Sequence, residues 1–196
     1  MIAYQLGDSL YVNVTNRCTN NCTFCIRRTS SGVGGYNLWL QEEPSVEEML
    51  EAIGDPGRFK EVVFCGYGEP LMRVDEVIQA ARALKEKYRI PIRIDTNGQA
   101  NLIHGRNVVP ELAGLVDTIS ISLNAENAEK YQSVSHSRYG AAAYQAVLDF
   151  AREGKKYIPR VVLTVVDVPE VDIEASRRIA GDLGVELRVR HYDPHL

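Results

Sequence analysis

Six short runs along the chain have the apolar or alternating pattern of β-strands, and each is bounded by Gly, Asn, Pro or charged residues. The predicted strands are residues 10–15, 61–65, 92–96, 118–123, 161–166 and 185–191. In the fourth run, Ser120 and Ser122 alternate with Ile119 and Ile121, so the polar and apolar side chains point to opposite faces. A polar face toward the inside of a barrel would need polar partners there.

Longer segments with helical periodicity separate these runs. The predicted helices are residues 45–53, 74–88, 108–115, 139–152 and 171–183. Ser45, followed three residues later by Glu48, is typical of a capping box at the start of the first helix. Gly184 follows the last helix at the position where a helix C-cap is expected.

The alternation of strands and helices predicts βαβ units with parallel strands and right-handed crossovers. We therefore expect an α/β fold with one curved sheet, and functional groups at the carboxyl ends of the strands. No helical pattern follows the sixth strand, so a sixth covering helix is expected to be absent. The 196 residues are 45% hydrophobic and show no repeat or linker, which predicts a single domain over residues 1–196.

The charge balance limits the classes of partner. With 22 basic and 26 acidic side chains, the formal net charge is −4, which argues against general binding to a nucleic-acid backbone. No apolar run approaches the roughly 20 residues that span a bilayer, and the amino terminus lacks the pattern of a secretion signal. We therefore expect a cytoplasmic protein without a membrane partner.

Three of the four cysteines, Cys18, Cys22 and Cys25, crowd together directly after the first predicted strand. Such spacing indicates metal binding rather than a disulfide framework. Three thiolates can hold three irons of a [4Fe-4S] cluster and leave the fourth iron open to a ligand. A tetrahedral zinc site, with Cys65 as a distant fourth ligand, is the alternative. The spacing alone favours iron–sulfur and leaves zinc open.

The cysteine spacing, with the aromatic Phe24 before the last cysteine, resembles the signature of radical S-adenosylmethionine (SAM) enzymes. Residues 66–70, Gly-Tyr-Gly-Glu-Pro, are similar to that family's Gly-Gly-Glu-Pro element. Residues 95–98, Asp-Thr-Asn-Gly, are similar to a Thr-Asn-Gly segment that many members carry. The resemblance covers nearly the whole chain in strand order and implies a partial (β/α)6 TIM-like barrel.

The resemblance also implies which residues bind the cofactors. It places a [4Fe-4S] cluster on the three cysteines of the motif. The residues implied to bind SAM are Phe24, Gly66, Gly68, Glu69, Thr96, Ser122, Asn124 and Thr164. Within this set, the turn from Gly66 to Glu69 would meet the methionine amino group of SAM, Ser122 its carboxylate and Asn124 its ribose. Taken singly, these residues are also typical of ordinary turns and half-solvated strands.

The implied activity is reductive cleavage of SAM to a 5'-deoxyadenosyl radical, which abstracts hydrogen from a substrate that the sequence does not identify. The implied partners are an electron donor such as flavodoxin or ferredoxin, and a small or macromolecular substrate. The strings Cys25-Ile-Arg-Arg and Asn37-Leu-Trp-Leu further resemble a small radical SAM group associated with TatD-type hydrolases. Activation of a glycyl-radical enzyme and a non-catalytic metal-binding module remain alternatives.

The segment of residues 27–40, after the cysteine motif, is long for a connection and contains the only tryptophan. In one interpretation, Leu38, Trp39 and Leu40 cap the barrel core. In the other, its glycine-rich part is a lid, with Arg27 and Arg28 as donors to an anionic substrate group. The weaker candidates for acting on substrate are Asp95, His136, Arg138 and His191.

Overall fold

The fold is built on one seven-stranded sheet whose strands follow one another in sequence order. The computed structural model describes residues 1–28 and 32–192. Its strands are β1 (Ala3–Leu6), β2 (Ser9–Asn13), β3 (Glu61–Cys65), β4 (Ile92–Thr96), β5 (Thr118–Ser122), β6 (Arg160–Val166) and β7 (Glu186–Arg190). β1 runs antiparallel to β2, and every later neighbouring pair is parallel. The predicted α/β class is confirmed.

The helices of the described residues connect these strands. The α-helices are α1 (Val46–Ile53), α2 (Val74–Tyr88), α3 (Ala100–His104), α4 (Ala128–Ser135), α5 (Ala142–Tyr157) and α6 (Ile173–Leu183). Short 3-10 helices are formed by Ile26–Arg28, Pro70–Arg73 and Val109–Leu112. The predicted capping box is confirmed, because Ser45 Oγ accepts from the Glu48 amide and the Glu48 carboxylate accepts from the Ser45 amide. Gly184 ends α6 in the left-handed conformation, as expected.

The main hydrophobic core lies between one face of the sheet and the helices. Phe64 of β3, Ile94 of β4 and Ile121 of β5 are fully buried there, with Leu84 of α2 and Phe150 of α5 in the same cluster. Burying a side chain of this size stabilises the fold by about 1.5–3 kcal/mol. The alternate strand positions point to the other face, which is the interior of the curved sheet.

Besides the five-residue α3, two elements of the structure are not predicted by the hydrophobic pattern. β1 is only four residues long, and a turn at Gly7 and Asp8 folds it back onto β2. In α4 the apolar side chains that become buried are few, so its periodicity is weak. Its start is set locally by Asn127, whose side chain accepts from the Lys130 amide. Both elements depend on turn and cap chemistry more than on periodicity.

Two predicted helices differ from the structure. The prediction of an α-helix at residues 108–115 is wrong. This stretch forms only the short 3-10 helix Val109–Leu112, with Pro110 near its start, and the α-helix α3 lies earlier in the chain. The helix expected from residue 139 begins at Ala142 and continues to Tyr157. Gly140 has a positive φ of 55°, which interrupts helical geometry just before α5.

The sheet is not closed into a full barrel. β1 and β7 are its two edge strands. No helix follows β7 up to residue 192, where the described part of the chain stops. Among the described residues, no helix has the length and apolar character needed to cross a membrane. The assignment of residues 1–196 to a single domain stays a prediction.

Candidate functional site

One cavity of about 540 Å³ lies at the carboxyl ends of the parallel strands. Its volume is within the usual range for a small-molecule site. All eleven residues expected to bind the cluster or SAM line it, namely Cys18, Cys22, Phe24, Cys25, Gly66, Gly68, Glu69, Thr96, Ser122, Asn124 and Thr164. These residues come from five different strand ends, which the parallel sheet brings to one edge.

The loop that carries the three cysteines, residues 18–25, is called the cysteine loop. A buried polar network holds it against the end of β4. Thr19 Oγ1 donates to Gln99 Oε1 at 2.8 Å and accepts from Asn97 Nδ2, also at 2.8 Å. Gln99 Nε2 in turn donates to Asn20 Oδ1 at 2.8 Å and to the Tyr131 hydroxyl at 2.7 Å. Since buried polar groups are costly unless paired, this network fixes the loop conformation beside β4.

The unpredicted helix α4 supports the same loop from the other side. The amides of Asn21 and Thr23 donate to the carbonyls of Ser135 and Val134 at 2.9 and 2.8 Å. Ser135 also accepts, through its hydroxyl, a hydrogen bond of 3.0 Å from Asn124 Nδ2. The cysteine motif is therefore positioned by α4 and by the residues that follow β4, both of which lie far away in sequence.

The chemistry of the three cysteines fits a thiolate-bound cluster. All four cysteines of the chain are free thiols. Burial, together with neighbouring negative charge, raises the pKa of Cys18 to about 11 and that of Cys22 to about 12. Bound iron would displace these protons, because metal ligation requires thiolates. Among the described residues, no three His, Cys, Asp or Glu side chains converge on a single metal ion.

Side-chain amides lie close to two of the sulfurs. Asn97 Nδ2 is 3.8 Å from Cys18 Sγ, and Asn124 Nδ2 is 3.9 Å from Cys22 Sγ. The backbone amide of Asn20 also donates to Cys18 Sγ at 3.4 Å. Donors of this kind stabilise thiolates and tune the potential of an iron–sulfur cluster. Asn97 is a site residue that the sequence interpretation overlooked, because Asn-Gly is first of all a turn signal.

Glu69 is buried and joins the turn after β3 to the end of β4. Its Oε1 accepts from the Leu71 amide at 2.9 Å and from Thr96 Oγ1 at 2.7 Å, and its Oε2 accepts from the Asn97 amide at 2.6 Å. A carboxylate has about four acceptor sites, so one site on Oε2 remains for a ligand. Burial outweighs these hydrogen bonds and raises the pKa of Glu69 to about 7.

The raised pKa of Glu69 predicts a pH dependence of stability. The folded protein binds more protons than the unfolded chain between the ordinary value of 4.5 and about 7. The stability from this group is thus full at lower pH and is lost as the pH rises through about 7. We expect the unfolding midpoint of the cofactor-free protein to fall by roughly 5 °C between about pH 5 and pH 7. In a Glu69→Gln variant this decline should disappear. The unfolding midpoints are measured by circular dichroism at each pH, and an equal dependence on pH in both proteins would contradict the prediction.

The two glycines of the turn after β3 are required by packing within the protein. A Cβ atom on Gly68 would lie 2.3 Å from the Thr15 carbonyl oxygen and 2.5 Å from that of Arg17. A Cβ on Gly66 would lie 2.1 Å from Asn13 Oδ1, and its φ of 121° already favours glycine. The turn is therefore locked against the end of β2, directly before Cys18.

A charged cluster in the sheet interior is a second feature that the sequence interpretation overlooked. Arg93 of β4 is buried and bonds Glu61 of β3 at 3.0 Å and Asp95 at 2.6 Å, and it donates to the Tyr11 hydroxyl at 3.1 Å. These partners raise the pKa of Arg93 above its ordinary value in spite of burial. The signal in the sequence is the alternation of Arg93 and Asp95 with the buried Ile92 and Ile94.

Of the four weaker candidates for acting on substrate, two line the cavity and two do not. Asp95 and His191 line the cavity, whereas His136 lies in a separate surface depression beside α4. Arg138 packs its guanidinium over the Tyr139 ring at 5.6 Å. Arg138 does not line the cavity, although its backbone amide donates to the Thr19 carbonyl at 2.9 Å.

The segment after the cysteine motif is partly core and partly exposed. Leu38 is fully buried, while Trp39 is 50% exposed and packs edge-on against Tyr67. Arg27 donates to the Asn20 carbonyl at 3.2 Å, and Arg28 donates to Asn21 Oδ1 at 2.8 Å. Both arginines are thus engaged with the cysteine loop and do not line the cavity. Residues 29–31 of the proposed lid lie outside the described residues.

Several curated relatives of the chain share one name. A "Probable dual-specificity RNA methyltransferase RlmN" from Trichormus variabilis is 28% identical over 177 residues, which cover 84% of this chain and 47% of that protein. The protein of the same name from Caldanaerobacter subterraneus is 28% identical over 134 residues, 65% of this chain and 36% of that protein. The chain therefore spans about half the length of such relatives, or less.

Solved structures share the fold at low sequence identity. Methylornithine synthase (PylB) matches with a TM-score of 0.61 and 16% identity, over 95% of this chain and 53% of that chain. A radical SAM methyltransferase from Sphaerobacter thermophilus matches with a TM-score of 0.57 and 18% identity, over 96% of this chain and 68% of that chain. These likenesses confirm the partial TIM-barrel fold.

The family model also matches the chain over most of its length. The model of the Radical SAM superfamily covers residues 12–182, from β2 to the end of α6. Enzymes of this superfamily use a [4Fe-4S] cluster and SAM, as the sequence resemblance implies. The narrower resemblance to the TatD-associated group is not confirmed by these matches. The chain belongs to the radical SAM superfamily.

Proposed function

We propose that the chain binds a [4Fe-4S] cluster and SAM in the cavity at the strand ends, and cleaves SAM reductively to abstract hydrogen from a substrate. The observation that carries this proposal is the convergence of all eleven expected cofactor residues on one cavity. An electron donor such as flavodoxin or ferredoxin would supply the reducing electron. No protein base is required for this first step.

Cys18, Cys22 and Cys25 would hold the cluster, with the amides of Asn97 and Asn124 beside the sulfurs of the first two. When bound, a reduced cluster of this type supplies the electron that breaks the C5'–S bond of SAM. The remaining acceptor site of Glu69 Oε2 would receive the ammonium group of SAM, which would hold the carboxyl group ionised. The hydroxyl groups of Ser122 and Thr164 would form hydrogen bonds with polar atoms of SAM.

The interior of the sheet would orient the substrate and exclude water. A primary carbon radical takes hydrogen from any close C–H bond, so selectivity depends on which bond the cavity holds nearest. Two aromatic side chains form part of the cavity wall. Phe24 is partly buried there, and Tyr4 of β1 is buried. The protein would thus contribute by positioning the substrate and by excluding water from the cavity.

We expect anaerobically reconstituted and reduced protein to convert SAM to 5'-deoxyadenosine and methionine in equal amounts, even without substrate. Liquid chromatography with mass detection would measure both products. A Cys22→Ala variant is the control and should give only background. A fully iron-loaded protein that binds SAM but forms no 5'-deoxyadenosine would contradict the proposal, and bound zinc without SAM affinity would favour the metal-binding module.

A second candidate is methyl transfer to RNA, favoured by the name of the curated relatives and the 84% of this chain that aligns with one of them. It predicts transfer of a labelled methyl group from SAM to RNA, with S-adenosylhomocysteine as a product. The net charge of −4 provides no general attraction for RNA. Incubation with total RNA and methyl-labelled SAM separates the two candidates.

A further inference from the structure

A row of polar side chains crosses the interior face of β5, β6 and β7 near their carboxyl ends. Ser122 is in register with Thr164, and Thr164 is in register with Arg188. Residues in register on parallel strands point to the same face, and neighbouring strands are about 4.8 Å apart. All three side chains line the cavity, so Arg188 lies two strands away from Ser122 on the same wall.

The cations of the cavity differ in how well they are paired. Arg93 is bound by both Glu61 and Asp95. Arg190 reaches from β7 across the interior to Asp95, whose Oδ2 is 3.6 Å from its Nη2, while Asp95 Oδ1 is already bonded to Arg93. The Arg188 guanidinium makes no side-chain hydrogen bond and no ion pair with any residue in 1–28 or 32–192. The ion-paired Arg160, and after it the charge of Arg188, lower the pKa of Glu186. Of the three arginines that line the cavity, Arg188 is therefore the one whose guanidinium has no ion-paired carboxylate among the described residues.

Arg188 is set apart from the expected cluster ligands, although its neighbour in register, Thr164, is an expected SAM residue. The cysteine loop and the turn after β3 lie at the end of β2 and β3, whereas Arg188 lies on the edge strand β7. Arg188 is only partly exposed, so its donors face a cavity where an anion is screened less than at an open surface. A planar guanidinium binds carboxylate and phosphate groups through two parallel hydrogen bonds.

We propose that Arg188, with Arg190 beside it, binds a carboxylate or phosphate group of a small-molecule substrate. This inference rests on the proposed function, because it places a substrate next to SAM. It also assigns the anion-binding role to β7, whereas the arginines after the cysteine motif are engaged with that loop. A small molecule fits better than RNA, since Arg188 lies on the inner wall of a chain with a net charge of −4.

The test uses two probe anions with the reconstituted, SAM-bound protein. Inorganic phosphate and acetate are titrated separately and followed by phosphorus and carbon nuclear magnetic resonance line broadening. We expect saturable binding of at least one anion, and binding about tenfold weaker in Arg188→Gln, the effect of losing one charge-assisted hydrogen bond. Arg188→Lys keeps the charge without the planar fork and should be intermediate. Arg178→Gln, on the exposed face of α6, is the matched control and should bind as wild type does.

Several outcomes would overturn the inference: no saturable binding of either anion, equal binding by wild type and Arg188→Gln, or an equal loss of SAM affinity in that variant. The last result would assign Arg188 to the SAM carboxylate. Displacement of the probe by a short RNA at lower concentration than by small phosphate esters would overturn the small-molecule assignment. Tighter binding of phosphate or of acetate identifies which group the substrate carries. Failure of SAM cleavage in wild type would refute the proposed function instead, and it is measured separately.

Discussion

Alanine at Cys18, Cys22 or Cys25 is expected to remove the iron–sulfur cluster, from about four irons per chain to almost none. Each of these thiols lines the cavity, and each would contribute one of three ligands, so no two of them can hold the cluster alone. Iron and sulfide analysis after anaerobic reconstitution measures the loss. The broad absorption of a thiolate-ligated cluster should disappear together with the metal.

Cys65→Ala is the matched control for these variants. Cys65 lines the same cavity, but it ends β3 and lies far in sequence from the cysteine motif. Free cysteines outside metal sites commonly pack as small apolar side chains. We expect this variant to keep the full cluster. Loss of iron in Cys65→Ala, with iron retained in one of the other three variants, would refute the ligand assignment.

The second large effect is expected from Gly68→Val. A Cβ atom there would overlap the backbone of Thr15 and Arg17, which cannot move without displacing Cys18. Overpacking of this kind costs about 1–3 kcal/mol even where flexible side chains can adjust, and backbone adjusts less readily. We therefore expect the variant to lose both SAM binding and most of the cluster, measured by equilibrium dialysis of SAM and by iron content.

Gly181→Ala distinguishes this local clash from a general effect of replacing glycine. A Cβ on Gly181 meets no atom within 4 Å, and the residue lies inside α6. Alanine stabilises a helix by up to about 1 kcal/mol relative to glycine, so this variant should melt slightly higher and keep both cofactors. If Gly68→Val retained wild-type cluster content and SAM affinity, the turn would not be locked against β2.

The sequence is sufficient to predict the parallel strands and the place of the site. Strands such as Ile92–Thr96 have a strong apolar pattern, and parallel strands in sequence order bring their carboxyl ends to one edge. Motif residues that directly follow a strand, such as Cys18 and Glu69, are therefore predicted to meet. The roles of the individual residues toward cluster and SAM stay predictions.

What the sequence does not reveal depends on contacts between distant segments. The packing of α4 against the cysteine loop joins Thr23 to Val134, and no local pattern encodes it. Nothing in the sequence around Arg188 distinguishes it from other residues of a short edge strand. Its position at the cavity follows from the register of β7 with β6, in which it pairs with Thr164. The requirement for glycine at position 68 is likewise set by the carbonyl of Thr15, more than fifty residues earlier.

The open sheet separates the expected cluster ligands from the cavity residues of its two edge strands. The expected ligands of the cluster lie beside the inner strands, where each strand has neighbours on both sides, whereas Arg188 and Arg190 lie on the edge strand β7 and Tyr4 on the edge strand β1. An edge strand is paired along one side only, so substitutions or insertions there disturb fewer partners. Under the proposed function, substitutions at the two edges would change which substrate fits and leave the expected cluster ligands undisturbed.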